Sequence, residues 1–370
     1  MHTIIYTFVA GLLAGQTRAL VPRASLPPKF SVEEIGIQSS NFPDVYRDGG
    51  GGGTLNGLHL ITFSDTTTTT GGIVGSMKGF TDNTIAYVGQ NGQPINKAAD
   101  FGSNGVPGMP IPFTQNETQY TTDHFEKDGL RCVLWPQGSI ATLPGDGNRG
   151  VAIYPIGIYG TEKKDLYNTL VEITADPITG PSVERVIPQL FYEGEAPLYG
   201  VFSTIVSHES NDLYLFSSEF DASTLSGGMR VAKVSTTSYT DRSQYQYWDG
   251  ASWSTDLNTA SKAQEGLLFT SNLSTGDVFW SNYYNTYMVV YFNSFADSTF
   301  YMRYALEGTV TGKWSEEIKL FATQPGTGPG ETYNYAGHAY PTFDASGKTL
   351  TLSYTMAGGA LTDMLKVTFE

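Results

Sequence analysis

Only one cysteine, Cys132, occurs in the 370 residues. An intramolecular disulfide is therefore excluded, and stability has to come from a buried core, which a chain of this length can build. Cys132 lies between Arg131 and the apolar pair Val133-Leu134, the setting of a buried small hydrophobe rather than of a reactive thiol. Charge is scarce too. Asp, Glu, Lys and Arg make up 15% of the chain, against roughly 25% in an average protein. Cations are the scarcer sign, 21 Lys and Arg against 36 Asp and Glu, for a net charge of −15. Nucleic acid and anionic membranes need a cationic surface, so neither is expected as a partner. No Gly-x-Ser-x-Gly elbow, His-Glu-x-x-His, Cys-x-x-Cys or Walker loop occurs. The five histidines are far apart in sequence, and no acidic loop has calcium-ligand spacing, so neither a metal nor a cofactor is expected. Amphipathic helical periodicity is also missing.

The apolar run Ile4 to Leu13, followed by Thr17-Arg18-Ala19, has the layout of a secretory signal peptide cut after Ala19. It is about half as long as the roughly 20 residues a spanning helix needs, and no later run is longer, so no membrane span is expected. The expected organisation is a signal peptide at 1–19, an extended lead-in with three prolines at 20–30, and one domain at 31–370. A secreted, extracellular, monomeric glycoprotein is the expectation. The sequons Asn116-Glu117-Thr118 and Asn272-Leu273-Ser274 would carry glycans on exposed loops.

What the chain has in abundance is glycine (42), tyrosine (23) and phenylalanine (20). Aromatic and β-branched residues suit pleated surfaces, and glycine suits tight turns. Short apolar or alternating runs recur between Gly, Asn, Asp and Pro. They include 58–63, 151–159, 168–173, 213–216, 229–234, 287–292, 300–306, 349–354 and 364–369, each of strand length. Two strands, the second with one cation, then an aromatic turn ending in Trp-Ser, appear at 212–254 and again at 287–315. The first two elements recur at 348–369, and the chain stops before the third. A unit of roughly 69 residues with about four strands suits a propeller blade. Five such units fill the domain, so the expected fold is an all-β, five-bladed β-propeller. Phe30 to Ile37 would supply the missing strand of the last blade. A pair of β-sandwiches is the rival. Gly49 to Gly53 and Thr66 to Thr70 read as loops of blade one.

Asp48 precedes the five glycines, and Asp65 ends the strand 58–64. With a hairpin between them, both carboxylates could face a central cavity. Glycines there would let a polymer approach the backbone. Glycoside hydrolysis needs two carboxyl groups, one to protonate the leaving oxygen and one to attack or to activate water. Asp is equally at home in plain turns. The motifs Asp48-Gly49-Gly50, Leu55-Asn56-Gly57 and Thr62-Phe63-Ser64-Asp65-Thr66 resemble the N-terminal signature of glycoside hydrolase family 183, formerly domain of unknown function 4185. The C-terminal half is similar at 287–292, 300–303, Trp314-Ser315 and 335–341. The resemblance implies a five-bladed propeller with endo-D-arabinanase activity and a catalytic pair at Asp48 and Asp65. Ser64 and the threonine run depart from the family pattern, which bears on the substrate.

Trp135 and His338 are candidate sugar contacts, Trp135 by ring stacking and His338 by hydrogen bonding. Each could equally be structural. Glu195 and Glu219 are further candidates for a third carboxylate. A polysaccharide substrate or carbohydrate ligand is the expected partner. A non-catalytic carbohydrate-binding propeller or an extracellular interaction protein are the alternative readings.

Overall fold

The structure, a computed structural model, describes residues 24–40, 45–68, 73–74, 77–78, 80–95, 102–103, 106–221, 226–294, 296–327, 332–357 and 361–370. The signal-peptide segment and the start of the lead-in lie outside the described residues. Among the described residues the fold is all-β apart from one substantial helix and a few single turns.

The described strands form seven antiparallel sheets; a hairpin of Gly102–Ser103 with Val106–Pro107 and a sheet ordered Val45–Arg47, Thr66–Thr68, Phe80–Thr81, Met77–Lys78, Ile73–Val74 stand apart from the five that follow one another along the chain. The first joins Gly52–Leu55, Leu58–Phe63 and Thr84–Val88. Its hairpin turns at Asn56 and Gly57, both with positive φ (51° and 74°), as a two-residue turn demands. The second sheet is built on Arg131–Leu134, Arg149–Tyr159, Lys163–Thr174 and Ser182–Ile187, with Ala141–Thr142 alongside. The third starts at Ser203–Val206 and continues through Asp212–Asp221 and Ser226–Ser235 to Gln246–Trp248 and Trp253–Ser254. The fourth comprises Thr275–Ser281, Thr286–Asn293, Thr299–Tyr304 and Ile318–Ala322. The fifth comprises Tyr335–Tyr340, Thr349–Met356 and Leu361–Phe369. Its outer strand is Phe30–Ile37, which pairs with the C-terminal strand from Phe30↔Phe369 to Ile37↔Asp363.

The innermost segments touch in circular order. Gly52–Leu55 contacts Ala141–Thr142, which contacts Ser203–Val206, then Thr275–Ser281, then Tyr335–Tyr340, which returns to Gly52–Leu55. A core fills each gap between neighbouring sheets, so most strands are covered on both faces. That explains why they read as continuous apolar runs. In Thr286–Asn293, Tyr287, Val289 and Tyr291 pack toward the third sheet, while Met288, Val290 and Phe292 pack toward the fifth. In the first sheet, Leu60, Ile85 and Tyr87 face the second sheet, while Ile61, Ala86 and Val88 face the fifth. The period of two sends alternate residues of one strand into different cores. Cys132 is buried in its strand, as its neighbours suggest, and burial pushes its thiol up to about 11.

Three expectations need correction. Gly52–Leu55 and Thr66–Thr68 are strands rather than loops, the latter paired with Val45–Arg47. A 14-residue helix, α1 (Gln115–Asp128), stands where none was expected. Thr114 and Glu117 form a reciprocal capping box at its start, and Gly129 ends it with φ 70°. Asn116 therefore lies exposed in the first turn of α1 rather than in a loop, whereas Asn272 is on irregular backbone and half-buried.

Candidate active site

Asp48 directly follows the strand Val45–Arg47, and Asp65 directly precedes its partner Thr66–Thr68. The Asp48 amide donates to the Asp65 carbonyl at 2.9 Å, and the Ser64 amide donates to the Asp48 carbonyl at 3.2 Å. Ser64 and Asp65 thus both oppose Asp48, an offset of the bulge kind. Asp48 and Asp65 are neighbours, as their spacing suggested.

The glycine run has a different role from the expected one. A side chain on Gly50 would collide with the carbonyl oxygens of Thr62 and Pro136, and one on Gly51 with that of Gly138. The glycines let three backbone segments pass at close quarters, and this fixes Asp48 against the second sheet.

The two carboxyl groups have unequal surroundings. Asp48 accepts from the hydroxyl of Tyr335 at 2.8 Å. Burial, reinforced by the charge of Asp65, pushes its pKa up to about 7 against the opposing pull of Tyr335. Asp65, whose side chain is 22% exposed, accepts from the Trp135 indole N–H at 2.6 Å and has Arg131 Nη2 at 3.6 Å. Burial raises its proton affinity too, but Arg131 and Trp135 counter that rise. Trp135 is therefore a hydrogen-bond donor to Asp65, and its ring meets Tyr159 edge-on at 5.3 Å.

A third carboxyl group, Asp82, lies behind the pair with its side chain fully buried. Arg131 bridges it to Asp65 while its guanidinium lies over Phe80 and near Tyr159. Burial pushes Asp82 up to about 7, with Arg131 the main opposing influence. Neither Asp82, Arg131 nor Tyr335 was a candidate from the sequence. Nothing local marks them, since each joins the site from a different stretch of chain.

A cavity of ≈ 570 Å³ is lined by residues of the second to fifth sheets and their connections. Asp48 and Asp65 do not line it, contrary to expectation. Its wall includes Gln137, two residues after Trp135, and His338, three after Tyr335. The segments that contact the two carboxyl groups thus continue into the cavity wall. His338 itself is buried and bonded to Asp277, at 3.3 Å from Nδ1 to Oδ2. Glu219 also lines the cavity and pairs with the buried Arg230 at 2.5 Å. Glu195 is largely exposed and lies 3.7 Å from Arg242. No cluster of metal-ligating side chains occurs among the described residues.

No protein-family model matches the sequence, and no curated protein matches it. Solved structures do resemble the fold. One is described as "a putative hydrolase from Bacteroides ovatus", with a TM-score of 0.55 at 14% identity over 90% of this chain and 87% of that one. A family 117 glycoside hydrolase from Zobellia galactanivorans gives 0.48 at 11% identity, over 92% and 90%. An endo-arabinase from Bacteroides thetaiotaomicron gives 0.42 at 10% identity, over 88% and 96%. At 14% identity the first likeness is one of fold, and the two with lower TM-scores add nothing to it.

Proposed function

We propose that this chain is a secreted five-bladed β-propeller glycoside hydrolase that cleaves furanosidic polysaccharide, as the resemblance to family 183 implies. The circular order of contacts among the innermost strands and the strand exchange between the two chain ends support the five-bladed reading. The observation that carries the chemistry is the pair of adjacent carboxyl groups in unequal environments. Two carboxyl groups whose surroundings set their proton affinities apart divide naturally into acid and base. Asp48, buried and beside the charge of Asp65, holds its proton to about pH 7 and is the general acid for the leaving oxygen. Asp65, whose burial is countered by Arg131 and Trp135, takes the other role: it either attacks the anomeric carbon or activates water. Arg131, shared with the buried Asp82, keeps Asp65 oriented.

Incubation with D-arabinan, L-arabinan and galactan tests this reading. The wild type should release oligosaccharides from at least one polymer. Asp48→Asn and Asp65→Asn should each lower that rate by about 100-fold or more without lowering the melting temperature. Release of products by both variants at the wild-type rate would remove the pair from the mechanism. Absence of products from every polymer, with retained binding, would leave the carbohydrate-binding propeller as the function.

A further inference from the structure

The inner strands have two ends, and each end opens into a cavity. The cavity described above takes their starts, with Phe202 and Thr275 in its wall. Another, of ≈ 380 Å³, takes their ends, with Thr142, Val206, Ser281 and Pro341 in its wall. Asp48 and Trp135 precede the inner strands Gly52–Leu55 and Ala141–Thr142, and Tyr335 is the first residue of Tyr335–Tyr340. The ≈ 380 Å³ cavity therefore lies at the far end of the inner strands from the carboxyl pair. Its wall is largely apolar and includes Ile140, Val206, Phe279, Trp280, Leu350 and Phe369. A concave apolar surface marks a contact site.

The start of the described chain leads to this cavity. Phe30 pairs with Phe369, and the Glu370 amide donates to the Lys29 carbonyl at 2.9 Å. From there back to Ala24 the chain leaves the outer strand of the fifth sheet, and Ala24 packs on the core between the fourth and fifth sheets. Phe279, Leu350 and Phe369 belong to that core and also line the cavity. The preceding residues, Leu20-Val21-Pro22-Arg23, lie outside the described residues. Three of them are apolar and the fourth is a cation. Extended, four residues reach about 13 Å. The charged residue of the cavity wall is Asp344. Burial would raise its pKa, but bonds from Thr349 and Ser346 bring it down to about 2, so it is a carboxylate at neutral pH. An apolar run ending in Arg thus matches an apolar wall carrying one anion.

We propose that residues 20–23 of this chain dock in the cavity, with Leu20, Val21 and Pro22 against the apolar wall and Arg23 beside Asp344. Docking there covers the open end of the core between the fourth and fifth sheets. It also ties down the closing strand Phe30–Ile37 from its N-terminal side. The occupant touches nothing at the carboxyl pair, so the proposal stands or falls independently of the hydrolase reading.

Limited trypsinolysis tests it. Trypsin must take the residues on both sides of a bond into its own cleft, so cleavage between Arg23 and Ala24 reads the undocked fraction. The test uses the full chain as secreted, with its first residue and the cut both read by mass spectrometry. The wild type should be cut slowly at this bond. Val21→Asp sets a charge against the apolar wall and should speed the cut about tenfold. Thr142→Asp, made in the wall, should speed it similarly, and the double variant should be little faster than either alone, as for two partners of one contact. Ile178→Asp, at a side chain 84% exposed and outside the cavity wall, should leave the rate unchanged. Should Thr142→Asp not fold, Val21→Asp alone must let the neutral apolar dye Nile red bind where the wild type does not. A mature chain that begins at or beyond Ala24, equal cleavage rates for the wild type and Val21→Asp, or full additivity in a folded double variant would each overturn the proposal. Polysaccharide turnover should be the same in Val21→Asp as in the wild type; its loss with no change in cleavage would refute docking and leave the hydrolase reading intact.

Discussion

Glu117 and Asp48 are both carboxyl groups withdrawn from water, and the fold treats their protons in opposite ways. Glu117 is gripped on every side. Arg185 donates to both its oxygens at 2.7 and 3.0 Å, the Tyr167 hydroxyl at 2.7 Å, and the Thr114 amide at 2.7 Å. Burial alone would raise its proton affinity, but Arg185 and Tyr167 together outweigh it and the pKa falls. Asp48 accepts from the Tyr335 hydroxyl and has a second carboxyl group beside it. Burial and the charge of Asp65 win there, and the group holds its proton to about pH 7. Under the proposed function the contrast separates a structural acid from a chemical one: the first is paired until it cannot titrate near neutrality, the second keeps a raised pKa so that it can.

The largest effect should come from breaking the structural partner set. Glu117→Gln leaves Arg185 buried without its counter-charge, beside the helix cap that Glu117 also closes. A loss of about 3 kcal/mol in unfolding free energy is expected, with kcat per folded molecule unchanged. Chemical denaturation and an activity assay on the same sample read both. A stable Glu117→Gln with impaired turnover would erase the distinction between the two carboxyl groups.

Opposite pKa shifts also demand opposite pH dependences of stability. Asp48 and Asp82 are pushed from the usual 3.8 to about 7. Between those values the folded state keeps protons that the unfolded chain has lost, so these groups make stability decline as pH rises from about 4 to 7. Glu117, with its lowered pKa, contributes stability that is present above its ordinary value and is lost as pH falls below it. Asp48→Asn should therefore flatten the decline between pH 4 and 7 and leave the acid side unchanged. Melting temperatures measured across that range decide it; an unchanged slope would mean that Asp48 is ionised throughout.

Much of the strand order is legible in the sequence because each strand sends alternate residues into two cores, which leaves continuous apolar runs such as 287–292. The Asn56-Gly57 turn and the closing strand from Phe30 to Ile37 are equally visible. Helix α1 escapes a reading by apolar periodicity because its buried residue is Glu117. The capping box of Thr114 and Glu117, followed by Gly129, was the available signal. At the candidate site, Asp48 and Asp65 stand out because they flank one hairpin. Asp82, Arg131 and Tyr335 do not, because only the packing of the first sheet against the second and fifth brings them in. The glycine run was visible, but its reason, close passage of backbones, depends on where Pro136 and Gly138 come to lie.

The smallest effect is the finest probe of the comparison. If Asp48 is the acid, kcat/KM should fall with rising pH through the pKa of Asp48, near 7. Tyr335 lowers that pKa by donating to the ionised carboxylate at 2.8 Å. Tyr335→Phe removes the donor and leaves the ring, so the basic limb should move upward, by about one pH unit for a bond to a charged group. The direction is opposite to that of any change adding a cation near Asp48, and a general loss of fold would not produce it. A basic limb that stays in place or moves downward would assign it to a group other than Asp48, and Asp65 would then have to be the acid.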